Sequence, residues 1–219
     1  MQLDWSSIPR ASNALWEGFQ FSISLTAFAA LAGIILGTLL AMARLSSIKP
    51  LSMIASGYVN IFRSTPLVIV IYWFYVVLPF IIGRPIGAEH SAYVTFAIFE
   101  AAYFCEIMRA GIQSIPKGQV YAGSALGFTY GQNMRYIILP QAFRNVVPLL
   151  LTQTIILFQD TSLVYVLGAT DLFGAADKIA HRDNTLLEMY VTVAVIYFVI
   201  SFFLSRLVKH LHSKIAIIR

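Results

Sequence analysis

Five long apolar stretches divide this 219-residue chain, and they limit what it can fold into. A helix that crosses the hydrocarbon core of a membrane needs about 20 predominantly apolar residues. The chain is 58% hydrophobic and 11% charged, whereas soluble globular domains carry about 25% charged residues. We therefore predict an all-α integral membrane protein with about five transmembrane helices. The stretches are Gly18–Ala43, Leu51–Gly83, Tyr93–Ile112, Val146–Gly168 and Met189–Ser205.

The second stretch is long enough to span a membrane but is interrupted near its middle. Arg63 is the charged residue within it, and Pro66 follows shortly afterwards. Proline removes a backbone donor and clashes with the preceding turn, so it breaks a helix. We expect a short interfacial helix up to this point and then a membrane span over Leu67–Ile82.

The distribution of basic residues predicts the orientation of the chain. Cytoplasmic segments of membrane proteins carry an excess of Lys and Arg. With the N-terminus outside and the C-terminus inside, eleven of the 15 basic residues fall on the inner side. These eleven are Arg44, Lys49, Arg63, Arg109, Lys117, Arg135, Arg144, Arg206, Lys209, Lys214 and Arg219. The bias predicts this orientation rather than its reverse.

The segment Ser114–Phe143 lies between the third and fourth apolar stretches, on the predicted inner side. It is rich in glycine and small residues, and it contains two potential short helices, Gln119–Leu126 and Tyr130–Leu139, before Pro140. Gly127 can adopt a positive φ and reverse the chain between these helices. A loop of this length usually has a function of its own. The alternative is a plain amphipathic connector on the membrane surface.

Polar residues within the apolar stretches are candidates for function. An acidic residue at the centre of a span costs about 2.5–3.5 kcal/mol on insertion scales. Asp160 and Gln153 are seven positions apart, so their side chains project from one side of a helix, about 10 Å apart along its axis. Glu100 is a similar candidate; for all three, the alternative is burial with bonds to neighbouring helices. We interpret Glu106 and Arg109, at i and i+3, as a structural ion pair.

Several motifs follow one another along the chain. Gly127 precedes Ile137-Ile138-Leu139-Pro140 with nine residues between them. The further motifs are Phe62-Arg63-Ser64-Thr65-Pro66-Leu67, the run EIMRAGIQSIPKGQ over 106–119, Leu139-Pro140-Gln141-Ala142-Phe143-Arg144 and Asp160-Thr161-Ser162-Leu163. With these motifs the chain resembles the permeases of type I ABC importers of the polar amino acid branch, and looks most like their glutamate/aspartate permeases.

The sequence departs from this family in its loop signature. The family has Glu-Ala-Ala before the glycine, whereas this chain has Tyr121-Ala122-Gly123. The helix–Gly–helix pattern is kept, but a charge that could meet an ATPase is missing. The resemblance implies that the loop over 114–143 is cytoplasmic and couples to the ATPase. The implied coupling residues are Tyr121, Ala122, Gly123, Ser124, Ala125, Leu126 and Gly127.

The resemblance also implies one permease domain of type I ABC importer fold over residues 1–219, in the bacterial inner (plasma) membrane. The substrate-binding residues that we expect are Gln153, Asp160, Thr161, Ser162, Glu100 and Tyr103. The neutral amide of Gln153 can donate hydrogen bonds to a carboxylate. It therefore favours glutamate or aspartate as substrate, with glutamine or a basic amino acid as alternatives.

The expected role is transport rather than catalysis. The sequence contains no G-x-x-x-x-G-K-[ST] phosphate-binding loop, so ATP hydrolysis is expected on a separate subunit. We expect no catalytic residue, metal site, bound cofactor or nucleic-acid partner in this chain, with ATP-Mg on the ATPase. The expected partners are an identical or homologous permease chain, two ATP-binding subunits, a periplasmic or extracellular amino acid binding protein and membrane lipid. A stand-alone secondary transporter is less favoured, because five spans show no internal duplication.

Overall fold

A computed structural model of the chain describes residues 4–215, and all regular structure in this range is helical. Arg219, which was counted on the inner side, and the side chain of Lys214 lie outside the described part. The helices are α1 Ser7–Arg44, α2 Lys49–Arg63, α3 Leu67–Ile82, α4 Ala88–Gln113, α5 Lys117–Ala125, α6 Tyr130–Asn133, α7 Leu139–Asp160, α8 Leu172–Asp183 and α9 Leu186–Ile215. A π-helical turn joins α6 to α7, and a 3-10 helix, Thr161–Leu167, follows α7.

The membrane-crossing elements agree with the predicted number. Within residues 4–215, four helical segments are long and apolar enough to span: α1, α4, the run Tyr130–Leu167, and Leu186–Leu211 of α9. A fifth span arises if α2 and α3, which bend by 110° at a short break, are counted as one. Pro66 stands immediately before α3 in an extended conformation, as the interruption predicted. The prediction of an all-α fold with about five spans is confirmed.

Helices α1 and α4 pack closely against each other at two glycines of α1. Gly33 and Gly37 lie one turn apart on the face of α1 that meets α4. A Cβ atom on Gly37 would lie 2.7 Å from the backbone nitrogen of Cys105 and 2.9 Å from the carbonyl oxygen of Ala101. Small residues spaced in this way allow two backbones to approach in a membrane. The contact therefore depends on glycine at these two positions, because any larger residue would push the helices apart.

Two differences from the predicted elements have clear physical reasons. The helix that begins at Tyr130 does not end before Pro140 but continues through a π-helical turn, Met134–Ile138, into α7. Pro140 is the second residue of α7, so its missing N–H falls where the π-helical hydrogen-bond pattern gives way to the α-helical one. The side chain of Gln141 also donates to the carbonyl of Ile137 at 2.9 Å, which adds a polar contact at this junction.

The second difference is α8, which lies in a connection that the sequence did not predict to be helical. Asp171 caps its first turn by accepting hydrogen bonds from the backbone N–H groups of Phe173 (2.9 Å) and Gly174 (3.0 Å). Burial raises the pKa of Asp171, which lies between the spanning segments, to about 6. α8 packs between Leu15 of α1 and Met189 of α9 in a small second core. Its buried face is made largely of Ala and Gly, which give little hydrophobic signal in the sequence.

The contact between α1 and α4 can be tested by adding one methyl group. Gly37→Ala should lower the free energy of unfolding by about 1–3 kcal/mol, because the core has no room for the new atom. Gly57→Ala on α2 is the matched control: nothing lies within 4 Å of its added Cβ, so it should stabilise the helix by up to about 1 kcal/mol. Heating in detergent with a thiol-reactive dye reports unfolding, since the single cysteine is fully buried. Equal melting temperatures for both variants would contradict this packing.

Candidate functional site: a polar cavity among the spans

A cavity of about 460 Å³ lies between α4, α7 and the bend that joins α2 to α3. Its lining includes four of the six predicted substrate-binding residues, namely Glu100, Tyr103, Gln153 and Asp160. Glu100 and Tyr103 are three positions apart on α4 and therefore share a face of that helix. The structure thus brings together polar groups from two helices that are distant in the sequence.

Glu100 is the most deeply placed charged group of this cavity. It is 1% exposed, and its Oε2 accepts a hydrogen bond from Nε2 of Gln153 at 3.0 Å. Its other oxygen, Oε1, has no hydrogen-bond partner among the described residues. This oxygen is also inaccessible to solvent in the chain, and a buried polar atom without a partner is costly. A bond to a neighbouring helix is the alternative stated above for Glu100 and Gln153, although their pairing with each other was not predicted.

Asp160 and Gln153 occupy one continuous helix, as their spacing predicted. Both lie on α7 and both line the cavity, Asp160 at the last residue of the helix. The amide of Gln153 has two N–H groups, and Glu100 takes one of them. A role for the second N–H group toward a substrate carboxylate stays a prediction.

Thr161 and Ser162 are not brought to the cavity wall. Thr161 is fully buried, and its hydroxyl donates to the carbonyl of Phe158 at 2.7 Å. Ser162 is half-buried in the 3-10 helix that follows α7. A role in substrate binding stays a prediction for both residues.

Arg63 is a cavity residue that the sequence reasoning did not assign to the site. It stands at the end of α2 and lines the cavity beside Glu100 and Tyr103. Its guanidinium carbon lies 5.6 Å from the centre of the Tyr103 ring, which is a cation–π distance. The signal was present in the sequence, because Arg63 interrupts an otherwise apolar stretch. Its charge was used only to argue orientation.

Further along α4, Glu106 joins three arginines from three helices. Arg109 donates from Nε to Oε2 of Glu106 at 2.8 Å, so the predicted ion pair is present. Arg44 of α1 pairs with the other oxygen of the same carboxylate. Nη1 of Arg63 lies 3.4 Å from that oxygen. Three guanidinium groups share one carboxylate, so this cluster carries excess positive charge.

The loop over 114–143 forms a compact helix–turn–helix surface. Gly127 follows α5 with φ of 79°, a conformation that favours glycine. The N–H of Phe128 donates back to the carbonyl of Gly123 at 3.1 Å and closes this turn. Tyr121 and Leu126 are 66% and 72% exposed. Two large apolar side chains thus stand free at the end of the loop in this single chain.

The departure at Gly123 from the alanine of the family signature has a structural cause. Gly123 is buried, and an added Cβ would lie 2.5 Å from Oδ1 of Asn133. Asn133 in turn donates from Nδ2 to the carbonyl of Val120 at 2.9 Å. This asparagine ties the two short helices together, and the sequence analysis missed it. Three other residues that the resemblance implies for coupling, Ala122, Ser124 and Ala125, are exposed beside the turn.

Comparison with known proteins places the chain in a family. Residues 33–217 match the family described as binding-protein-dependent transport system inner membrane component. The chain belongs to this family. It is therefore an inner-membrane permease component of an ABC importer, which works with ATPase and substrate-binding partners and is not itself an enzyme.

Individual relatives agree with this membership over nearly their whole length. The chain is 49% identical to the glutamate/aspartate import permease protein GltK of Escherichia coli O6:H1 (strain CFT073), covering 98% of this chain and 99% of the relative. It is 34% identical to the arginine transport system permease protein ArtQ of Bacillus subtilis (strain 168), covering 98% of each. A crystal structure of an amino acid ABC transporter with histidines matches with a TM-score of 0.87 at 33% identity, covering 98% of this chain and 100% of the other. The predicted ABC importer permease and its fold are confirmed.

The hydrogen bond between Gln153 and Glu100 should contribute to the stability of the permease. Gln153→Leu leaves the buried carboxylate without its donor and should lower the free energy of unfolding by about 1–3 kcal/mol. Gln159→Leu is the matched control on the same helix, because it removes a 3.0 Å bond to the neutral hydroxyl of Ser201 and should cost less. Heating with the thiol-reactive dye, which reports exposure of Cys105, gives the melting temperatures of the two variants. A loss in Gln153→Leu no larger than in the control would mean that Glu100 does not need this donor.

Proposed function

We propose that this permease is the translocation subunit of an ATP-driven importer of glutamate and aspartate. The observation that carries the proposal is the 49% identity, over nearly the full length, with a relative named as a glutamate/aspartate import permease. The relative named for arginine transport is 34% identical over the same extent. Glutamine and basic amino acids remain the alternative substrates within this family.

The chemistry of the cavity supports an amino acid substrate. Asp160 provides negative charge for an α-ammonium group, and Glu100 lies in the same wall, bonded to Gln153. Gln153 offers an N–H group to the side-chain carboxylate of the substrate. Tyr103 lines the cavity beside the bend between α2 and α3. We therefore assign Glu100, Tyr103, Gln153 and Asp160 to substrate binding. We also propose Thr161 and Ser162 for substrate binding, because they directly follow Asp160 in the chain.

The proposed assembly contains two permease chains, identical or homologous, two ATPase subunits and one binding protein on the outer face. The chain has no phosphate-binding loop of its own, so ATP-Mg belongs to the ATPase. The N-terminus lies outside and the C-terminus inside, because this orientation places most basic residues in the cytoplasm. Residues 1–219 act as one transmembrane domain in this arrangement.

The substrate proposal is tested by uptake competition in proteoliposomes that hold the whole complex. Unlabelled glutamate and aspartate should each suppress uptake of labelled glutamate by more than about tenfold at saturation, because they compete for the same groups. Lysine and arginine should have little effect, since their cationic side chains carry no carboxylate for Gln153. Strong inhibition by lysine or arginine, with none by aspartate, would contradict the assignment to acidic amino acids.

The proposed contact with the ATPase is the end of the loop, from Tyr121 to Gly127. Ser124, Ala125 and Gly127 are small and exposed, so another protein can approach the backbone closely. Leu126 and Tyr121 flank them with apolar surface that a cleft of the ATPase could bury. The contact has no glutamate at position 121, so shape and apolar burial carry it more than charge.

Coupling can be tested at the turn with a pair of glycines. Gly127→Val forces a β-branched residue into positive φ and should reduce transport by about tenfold or more while ATP hydrolysis continues. Gly118→Val is the matched control in the same loop: an added Cβ meets nothing within 4 Å and no positive φ is involved. Transport and ATPase rates are measured on the same vesicles. Unchanged transport in Gly127→Val would count against a coupling role.

A further inference from the structure

Another cavity, of about 320 Å³, lies between α7 and α9. It shares no lining residue with the cavity at the bend between α2 and α3. The proposed transport function therefore leaves it unexplained. Its lining residues are Asn145, Pro148, Leu149 and Thr152 of α7, and Ser205, Val208 and Lys209 of α9.

This cavity carries positive charge that the two helices do not neutralise. Lys209 makes no ion pair within the part of the chain that the structure describes. Residues 139–159 and 189–219 contain no Asp or Glu, so neither helix supplies an acid along the lining. Arg144 and Arg206 directly adjoin lining residues in the chain and add to the positive charge. An anion from outside the chain would complete this wall.

The face of α9 that reaches the cavity changes from apolar to charged. Phe198, Phe202, Ser205 and Lys209 are spaced by four, three and four residues, so they share one face of the helix. The rings of Phe198 and Phe202 stack with 5.8 Å between their centres, and the two side chains are 66% and 42% exposed. Apolar surface within the span thus leads to a cation at its end. A phospholipid has the same order of acyl chain and charged headgroup.

The cavity lies at the end of the spans that adjoins the loop over 114–143. Asn145 is in the second turn of α7, directly after this loop, and it lines the cavity with Lys209. The proposed orientation makes this the cytoplasmic side. Anionic lipids give the cytoplasmic leaflet its negative surface potential, and basic pockets between spans on this side bind their headgroups.

We propose that this cavity is a binding site for the headgroup of an anionic phospholipid. The ammonium group of Lys209 donates to the lipid phosphate, and the hydroxyl of Ser205 provides a second donor. One N–H of the Asn145 amide donates to Oγ of Ser114 at 3.0 Å, and its other N–H is a third donor for the phosphate. The acyl chains lie along the apolar face of α9.

A lipid bound in this cavity bridges two helices of the permease. α7 carries Gln153 and Asp160 further along its length, and α9 packs beside it. A ligand that binds the folded protein and not the unfolded chain stabilises the folded protein. The bound lipid therefore holds α7 against α9, whichever amino acid is transported.

The test uses the purified complex of permease and ATPase in a neutral detergent, with labelled phosphatidylglycerol as the probe. Binding should be saturable, and unlabelled phosphatidylglycerol should displace the label, whereas phosphatidylcholine and inorganic phosphate should not. Lys209→Gln should weaken binding by about fivefold or more, because a charged contact is lost. Lys49→Gln is the matched control and should bind like wild type: Lys49 begins α2, is exposed and does not line this cavity.

A second variant and a second readout separate binding from misfolding. Ser205→Phe fills the cavity without changing its charge and should also weaken binding; it decides if Lys209→Gln does not assemble. Phosphatidylglycerol should raise the melting temperature in the dye assay for wild type and Lys49→Gln. It should not do so for Lys209→Gln or Ser205→Phe.

Equal affinity of Lys209→Gln, or of Ser205→Phe where that variant decides, and of Lys49→Gln would overturn the inference. Lys209 would then only extend to water at the membrane surface. Displacement by phosphatidylcholine as effective as by phosphatidylglycerol would also overturn it, because the site would then not read the charge of the headgroup. Absence of saturable binding would overturn it as well, and would indicate that a partner chain covers the cavity.

Discussion

The close approach of α1 to α4 is the constraint on which the rest of the permease depends. Lipid tails are as apolar as leucine, so spans are not driven together by burial from water, and tight packing must hold them. Gly33 faces the Cβ atom of Glu100, and a Cβ on Gly33 would lie 3.2 Å from it. The same contact fixes the face of α4 that carries Glu100, Tyr103 and Glu106. The glycines of one helix thereby set the position of the polar groups of another.

Two carboxyl groups lie six residues, about 1.7 turns, apart on α4. Glu100 is held by Gln153 of α7. Glu106 is surrounded by three arginines. A negative region thus lies next to a positive one across the cavity. A zwitterion with an extra carboxylate fits such a gradient better than a cationic amino acid does, because both of its charges then meet opposite ones.

Much of the fold follows from the sequence because lipid leaves few alternatives. Long apolar runs must be helical, and Pro66 marks the break between α2 and α3. α8 was not predicted, because its buried face is made largely of Ala and Gly, which are weakly hydrophobic. The continuous path through Pro140 was also missed, since a π-helical turn has no reliable signal in a single sequence.

The site was predictable in part for a related reason. Helical spacing alone placed Gln153 and Asp160 on one side of α7, because both belong to one element. The bond from Gln153 to Glu100 and the place of Arg63 depend on how three helices meet, which periodicity does not encode. Gly123 and Asn133 show the same limit in the loop. Gly123 has no side chain because Asn133 of the next short helix occupies that space, and only the packing of the two helices reveals this.

The central claim is that the cavity of this chain itself binds the substrate and prefers acidic amino acids. Equilibrium dialysis of labelled glutamate against the purified complex of permease and ATPase, without the binding protein, tests it most directly. The account predicts saturable binding that aspartate displaces, that lysine does not, and that Asp160→Asn removes. Absence of saturable binding, or binding that is unchanged in Asp160→Asn and displaced by lysine, would contradict it.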